Sequence, residues 1–416
     1  MKNPIIMAFP HLLGTLTVIL FTICSCIEPP ENENTQKGVG IGLLLPYTGG
    51  ESAVGTNYER AAMMARERIN AAGGINGTPI HFVAKDTHSD PVRAVAALNE
   101  ILAHEDVIAV IGPEGADVAD TIYPILEQKR ILFISPMVSG SDELSTSSET
   151  PWFRLAPSAA TLGRAFANHL IFSQNLTAVN TVFSNDDYNA DFTREFENRF
   201  VELGGVIENS IPLSSTKLSY NNEVNLMRLG TSGNVMLSAA VDSSVRFTNE
   251  LSLSNQGQKW NWFLSPTLQT PVFLQNTLQG ALEGAKGIGI RVDNPDEVFV
   301  DEYKKRWDDT PLDGAFFYFD ALTILGLAMT TAAHSNGGEL SYAGIRDAMM
   351  EVATPSGVQV RWSETEQGFG YILNGLSLYY SGLTGPLLFT EYGQQKKALM
   401  TYWTISNGQI SAGNQL

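Results

Sequence analysis

The chain has 416 residues, 44% of them hydrophobic, which is enough apolar side chain for a packed interior. One core rarely grows past about 250–300 residues, so two lobes are expected. With 44 acidic against 26 basic residues the formal net charge is −18. No cluster of Lys and Arg offers the footprint that nucleic acid needs, and nucleic-acid binding is excluded.

The chain opens with Met1-Lys2, a short positive start, and Leu12–Ile23 is an apolar run. About twelve residues are too few to cross a bilayer, which takes roughly 20, but they fit the core of a signal peptide. The run ends at Ile23-Cys24-Ser25-Cys26, which resembles a bacterial lipoprotein cleavage box. Residues 1–25 are therefore expected to be a signal peptide, with Cys26 as the lipid-bearing residue. Cys24 fits less well, because bulky Ile23 would stand at the cleavage point. Residues 26–37 contain Glu28–Gln36 (EPPENENTQ), polar and without apolar periodicity, as a tether should be. The expectation is an exported protein, anchored to a membrane by lipid and facing the periplasm or exterior. Both cysteines lie in this region, so the body has no disulfide, no CxxC redox pair and no cysteine-ligated zinc.

From Val39 the pattern is regular. Val39–Leu45 (VGIGLLL) reads as a strand, and Asn57–Ala72 as a helix with Ala61, Ala65 and Ile69 four apart. Ile80–Ala84 is a second strand, Pro91 opens a second helix, and Val107–Ile111 is a third strand. Val118, Ile122 and Ile125 mark a third helix, and Ile131–Ile134 a fourth strand. The rhythm restarts after Pro157, with helices at Leu162–Phe172 and Phe192–Leu203. Strands follow at Val179–Phe183, Val206–Ile211, Val235–Ala239 and Trp262–Leu264. Strands alternating with amphipathic helices predict parallel sheets covered on both faces, here in two α/β lobes. Ligands in such sheets bind beyond the C-terminal strand ends. The loops there are Pro46–Val54, Gly112–Asp117, Ser135–Ser141, Ser184–Tyr188, Ala240–Ser244 and Ser265–Leu268.

Several segments, in order and at fixed separations, carry a resemblance. They are Ile69-Asn70-Ala71-Ala72-Gly73-Gly74-Ile75-Asn76-Gly77, then Asp86 with Asp90-Pro91, and Val110-Ile111-Gly112-Pro113. Pro124, Ile134-Ser135-Pro136 and Phe319-Asp320-Ala321 follow, and finally Tyr380-Ser381-Gly382-Leu383-Thr384-Gly385-Pro386 with Phe389 and Gly393. The chain resembles the type I periplasmic binding proteins, in the leucine/isoleucine/valine-binding branch, over nearly all of Gly38–Gly408. The resemblance implies two Rossmann-like lobes joined by three hinge strands, with crossings near Pro157, Gly287–Arg291 and Pro386–Glu391. It places residues 38–157 and 290–386 in the N-terminal lobe, and 158–289 and 387–416 in the C-terminal lobe. It further implies a monomer that closes its cleft on a small molecule and presents it to an ABC permease. A ligand-sensing module docked to a signalling partner uses the same fold.

In that family the first lobe holds an amino acid's carboxylate through a Ser after the third strand and a small residue plus Thr or Ser after the fourth. The matching positions here are Ala116, and Val138 with Ser139, near Val54 in the first loop. Backbone N–H groups and the following helix N-terminus remain available for an anion. In the second lobe Tyr188 matches an aromatic that closes over the ligand, Ala240 or Val241 falls where another aromatic would stand, and Thr267 falls where an acid pairs the ligand's ammonium. Asp242 is close enough to replace that acid, and also reads as a helix cap before Ser243 and Ser244. Losing the partner of a buried ammonium costs about 3–5 kcal/mol. Weak leucine-type binding follows, and the expected ligand is an amino acid, an amide or another carboxylate with no obligatory ammonium.

Enzyme motifs are absent or malformed. Gly38-Val39-Gly40 precedes its strand rather than following it, so it is no dinucleotide fingerprint. Gly230-Thr231-Ser232-Gly233 lacks the last spacing of a nucleophile elbow. The six histidines are scattered, with no pair at metal spacing. The expectation is a binding protein with no cofactor and no metal, an α/β-hydrolase-like enzyme being the remote alternative.

Overall fold

The computed structural model describes residues 38–138, 147–254, 259–290, 292, 295–396 and 400–415. The first sheet contains β1 (Val39–Leu45), β2 (Ile80–Asp86), β3 (Val107–Ile111), β4 (Leu132–Ser135) and β5 (Trp152–Arg154), in the order β2-β1-β3-β4-β5 and parallel throughout. It is covered by α1 (Ser52–Ala71), α2 (Pro91–Ile101) and α3 (Ala116–Lys129). Every residue of β1 is buried, which is why its sequence is a continuous apolar run instead of an alternating one. Ala61, Ala65 and Ile69 of α1 are fully buried. Asn70, at the end of that helix, brackets the next strand: its Oδ1 accepts from Ile80 N at 2.8 Å and its Nδ2 donates to Ile80 O at 3.0 Å. Gly74 turns the chain between them at φ +68°, where a Cβ would lie 2.2 Å from Thr78 O.

The chain then enters the second sheet through α4 (Ala159–Phe172). Here β6 (Ala178–Ser184), β7 (Val206–Leu213), β8 (Asn234–Ser238), β9 (Asn261–Leu264) and β10 (Lys286–Gly289) run parallel, flanked by α5 (Asp187–Glu202), α6 (Asn221–Met227), α7 (Val241–Leu253) and α8 (Pro271–Asn276). Four further helices, α9 (Glu297–Trp307), α10 (Asp313–Ser335), α11 (Tyr342–Val352) and α12 (Thr365–Leu373), pack into the core of the first lobe. With them goes a small sheet of β11 (Val358–Arg361), β12 (Leu378–Gly382) and β13 (Gly385–Pro386). The chain finally returns to the second sheet as β14 (Thr401–Ser406) and β15 (Gln409–Gln415), an antiparallel hairpin that completes the order β15-β14-β10-β9-β8-β6-β7. The polypeptide thus passes between the two sheets three times: after β5, after β10 and after β13.

Helix α10 is long and apolar enough to span a bilayer, yet it is almost wholly buried as the central helix of the first lobe. Its Asp320 is fully buried. Asp320 Oδ1 accepts from Tyr380 Oη at 2.7 Å and Leu383 N at 2.9 Å, and Oδ2 accepts from Thr384 N at 2.8 Å and Oγ1 at 2.7 Å. Gly382 closes this pocket, since a Cβ there would lie 2.2 Å from Asp320 Oδ1. The two late motifs are therefore halves of one lock, which fixes the β12–β13 turn to the core just before the third crossing. Burial holds the Asp320 carboxyl at about 6, above the usual carboxylate range, despite the donors from Thr384, Tyr380 and Leu383.

Candidate ligand-binding site

Helices begin directly after the strands, closer than apolar periodicity indicates. Residues 187–191 belong to α5, so Tyr188 stands in its first turn; the polar Asp187-Tyr188-Asn189 carries no apolar signal, which is why the periodicity starts only at Phe192. Asp186 caps this helix, accepting from Asn189 N at 3.0 Å. Helix α7 starts at Val241 with Ala240 as its N-cap. Asp242 lies in the first turn with an exposed side chain and is not the cap residue. Likewise Val54 is in the first turn of α1, and Ala116 is the first residue of α3.

In the second lobe Asn189, 4% exposed, ties the candidate loops together. Its Oδ1 accepts from Ser238 Oγ at 2.8 Å and from Thr267 Oγ1 at 3.3 Å, and its Nδ2 donates to Asp186 Oδ1 at 2.9 Å. Ser184 Oγ donates to Asp186 and accepts from Ala240 N at 3.1 Å. The loops after β6, β8 and β9 thus share one hydrogen-bonded floor, which brings Tyr188, Ala240 and Thr267 together. Tyr188 is half-buried, and desolvation, with nearby Asp186, raises its phenol, which stays a neutral donor. Val241 is half-buried against the core of that lobe.

In the first lobe Val54 and Ala116 are half-buried at the edges of two apolar cores. Val138 is 2% exposed and packs into the core of that lobe. Ser139 and Cys26 lie outside the described residues. The loop after β3 carries acids that counting from Gly112 to Ala116 passes over. Glu114 is 9% exposed and accepts from Tyr318 Oη at 2.7 Å. Burial pushes its carboxyl up to about 8, with Glu51 adding to the rise, so it is protonated at neutral pH. Tyr318 stacks on Tyr58 of α1 at 4.9 Å between centroids. Asp120 follows Ala116 by four residues on α3, hence on the same face. Burial and the second-lobe Asp187 raise its carboxyl to about 6, against the opposing pull of Arg154. The charge of Asp187, at the start of α5, is thus felt at Asp120 of α3, although the two helices follow strands of different sheets. Asp120 is not among the residues singled out from the sequence; its i, i+4 relation to Ala116 is the signal that would have found it.

A family model described as "Periplasmic binding protein" matches residues 38–368. An amino acid binding protein of Pseudomonas aeruginosa is 37% identical over 98 residues, 24% of this chain and 26% of that protein. A chemotactic signal transduction system substrate-binding protein of Halobacterium salinarum is 31% identical over 129 residues, 30% of this chain and 27% of that protein. The matched segments span about a quarter of the length of these relatives. A leucine binding protein of Thermotoga maritima has the same fold, with a TM-score of 0.68 at 18% identity, over 91% of this chain and 98% of that one.

Proposed function

We propose, from the premise that this chain belongs to the type I periplasmic binding proteins, that it is an extracytoplasmic solute-binding lipoprotein. It captures a small polar, amino-acid-like molecule between its two lobes and presents it to an ABC importer. The observation that carries this reading is the pair of α/β sheets joined by three chain crossings, together with the match of a periplasmic binding protein family model over residues 38–368. Three chain crossings between the sheets suit a hinge motion, and the Asn189 floor and the Asp320 lock keep each lobe rigid while the crossings bend. Membrane attachment through Cys26 would hold the receptor beside its permease.

A second reading, a ligand sensor coupled to a signalling partner, is favoured by the Halobacterium relative, whose name is that of a chemotactic substrate-binding protein. Both readings share the same binding event. Mass spectrometry of the gently purified protein tests that event. A bound small molecule is expected in the native spectrum and released intact on denaturation. A chain that carries no small molecule, and gains none from metabolite extract, contradicts both readings.

A further inference from the structure

The second and third crossings meet the second lobe side by side. Gly289 ends β10 and Thr401 begins β14, and the two are ladder partners, as are Gly287 and Trp403. Side chains two apart on a strand share a face, so Thr401 and Trp403 lie together beside the two glycines. A Cβ at Gly287 would overlap the indole ring at Cε2 and Cζ2. A Cβ at Gly289 would overlap Gln269 Oε1 and stand 3.4 Å from Trp403 Cδ1. The Gln269 amide thus fills the space above Gly289, against the edge of the indole. Trp403 and Thr401 are fully buried, yet Trp403 Nε1 and Thr401 Oγ1 have no hydrogen-bond partner among the described residues. Gln269 brings an amide oxygen to this place, and its side chain is unbonded as well among the described residues.

The backbone of Gln269 belongs to the loop after β9. Leu268 N donates to Ser265 O at 3.1 Å and Gln269 N to Pro266 O at 3.1 Å, so residues 265–269 form one tight turn, pinned by fully buried Leu268. Thr267 in that turn bonds Ser265 Oγ at 2.7 Å and Asn189 Oδ1 at 3.3 Å. Gln269 therefore stands between the Asn189 floor and the two hinge strands.

Hinge closure concentrates its backbone change in a few residues at element ends. Bending where β10 ends moves the Gly289 Cα under the amide, and the amide must turn. A buried N–H without an acceptor is costly, so the arrangement that gives Trp403 Nε1 the Gln269 oxygen is stabilised. We infer that Gln269 is a positioning residue for lobe closure: its amide rests on Gly289 in one state and turns to accept from Trp403 Nε1 in the closed state. A ligand group held at Thr267 acts on the hinge through the same turn. The inference rests on the reading of the chain as a lobe-closing receptor.

The test needs no ligand. Spin labels on Val92→Cys of the first lobe and Leu226→Cys of the second, both exposed positions, in a chain with Cys24→Ser and Cys26→Ser, report the ratio of short to long interlobe distances. Gln269→Met keeps the bulk and removes the acceptor, and Trp403→Phe keeps a ring and removes the donor. Each should lower the short-distance population about twofold to tenfold, the worth of one hydrogen bond. The double variant should fall no further than either single one, because both remove the same bond. Gly289→Ala, whose methyl displaces the amide, should raise the short-distance population. The inference is overturned if the single variants leave the ratio unchanged, if their effects add, or if Gly289→Ala lowers the ratio. A lower urea midpoint in Gln269→Met at an unchanged ratio makes Gln269 a packing residue and overturns it too. None of these outcomes touches solute binding, which the mass spectrometry of the native protein decides separately.

Discussion

Replacing Tyr380 with Phe removes one oxygen from the Asp320 lock and leaves no cavity. The phenol is fully buried and donates to Asp320 Oδ1 at 2.7 Å. A hydrogen bond to a charged group contributes about 1.5–3 kcal/mol, and one between neutral groups about 0.5–1.5 kcal/mol. The Asp320 carboxyl sits at about 6, above its ordinary value, because burial outweighs its donors. Wild type therefore loses stability as pH rises from the unfolded carboxyl's range up to about 6, and is level above it. Removing the Tyr380 donor raises the carboxyl further, so in the variant this loss continues to higher pH. The gap between the two proteins should thus be small at pH values well below 6 and open as pH rises through and beyond it. At the high end the loss should be about 1.5–3 kcal/mol, or about 3–12 °C in the melting midpoint for a cooperative unit of 150–250 residues. Urea unfolding of wild type and Tyr380→Phe across a pH series reads this directly. An equal loss on both sides of the Asp320 titration, or no loss on the alkaline side, refutes the account of the lock.

Glu114 offers a second pH test, with its carboxyl pushed up to about 8. The folded state holds this proton where the unfolded state has released it, so Glu114 costs wild type stability as pH rises through that window. Glu114→Gln keeps an acceptor for Tyr318 Oη and does not titrate. The difference between wild type and variant midpoints in urea should shift in the variant's favour from acid to about pH 8, and a pH-independent difference counts against a protonated Glu114. The anchor is tested by fractionation: Cys26→Ser should release the protein from membranes, whereas release by Cys24→Ser with Cys26→Ser still membrane-bound reverses the assignment.

Much of the architecture could be read in the sequence because each strand of a buried parallel sheet announces itself. Val39–Leu45 and Val107–Ile111 are apolar runs between turns, and the structure buries nearly all of them. Elements with weak local signals were missed. β5 is three residues long, and the first turn of α5 is polar because its buried Asn189 binds Ser238 and Thr267 instead of packing among apolar side chains. The motif Tyr380–Pro386 was visible as a pattern, but its purpose lies in a contact with Asp320, sixty residues earlier along the chain. The site shows the same limit. Positions could be counted from Gly112 and Ser135-Pro136, but the charge of the seat depends on Glu51 from another loop and Asp187 from another lobe. Neither is near Ala116 in sequence, so a residue-by-residue transfer of the cradle could not show their charge there.

The central claim is that ligand binding and lobe closure are one event. Because Cys24 and Cys26 are the chain's two cysteines, single cysteines placed at exposed Val92 on the first lobe and Leu226 on the second can carry a pair of spin labels once Cys24 and Cys26 are replaced by Ser. The distance distribution between them, measured with and without the compound released from the native protein, should move to a shorter, narrower peak at saturation. A distribution unchanged by saturating ligand would contradict the account.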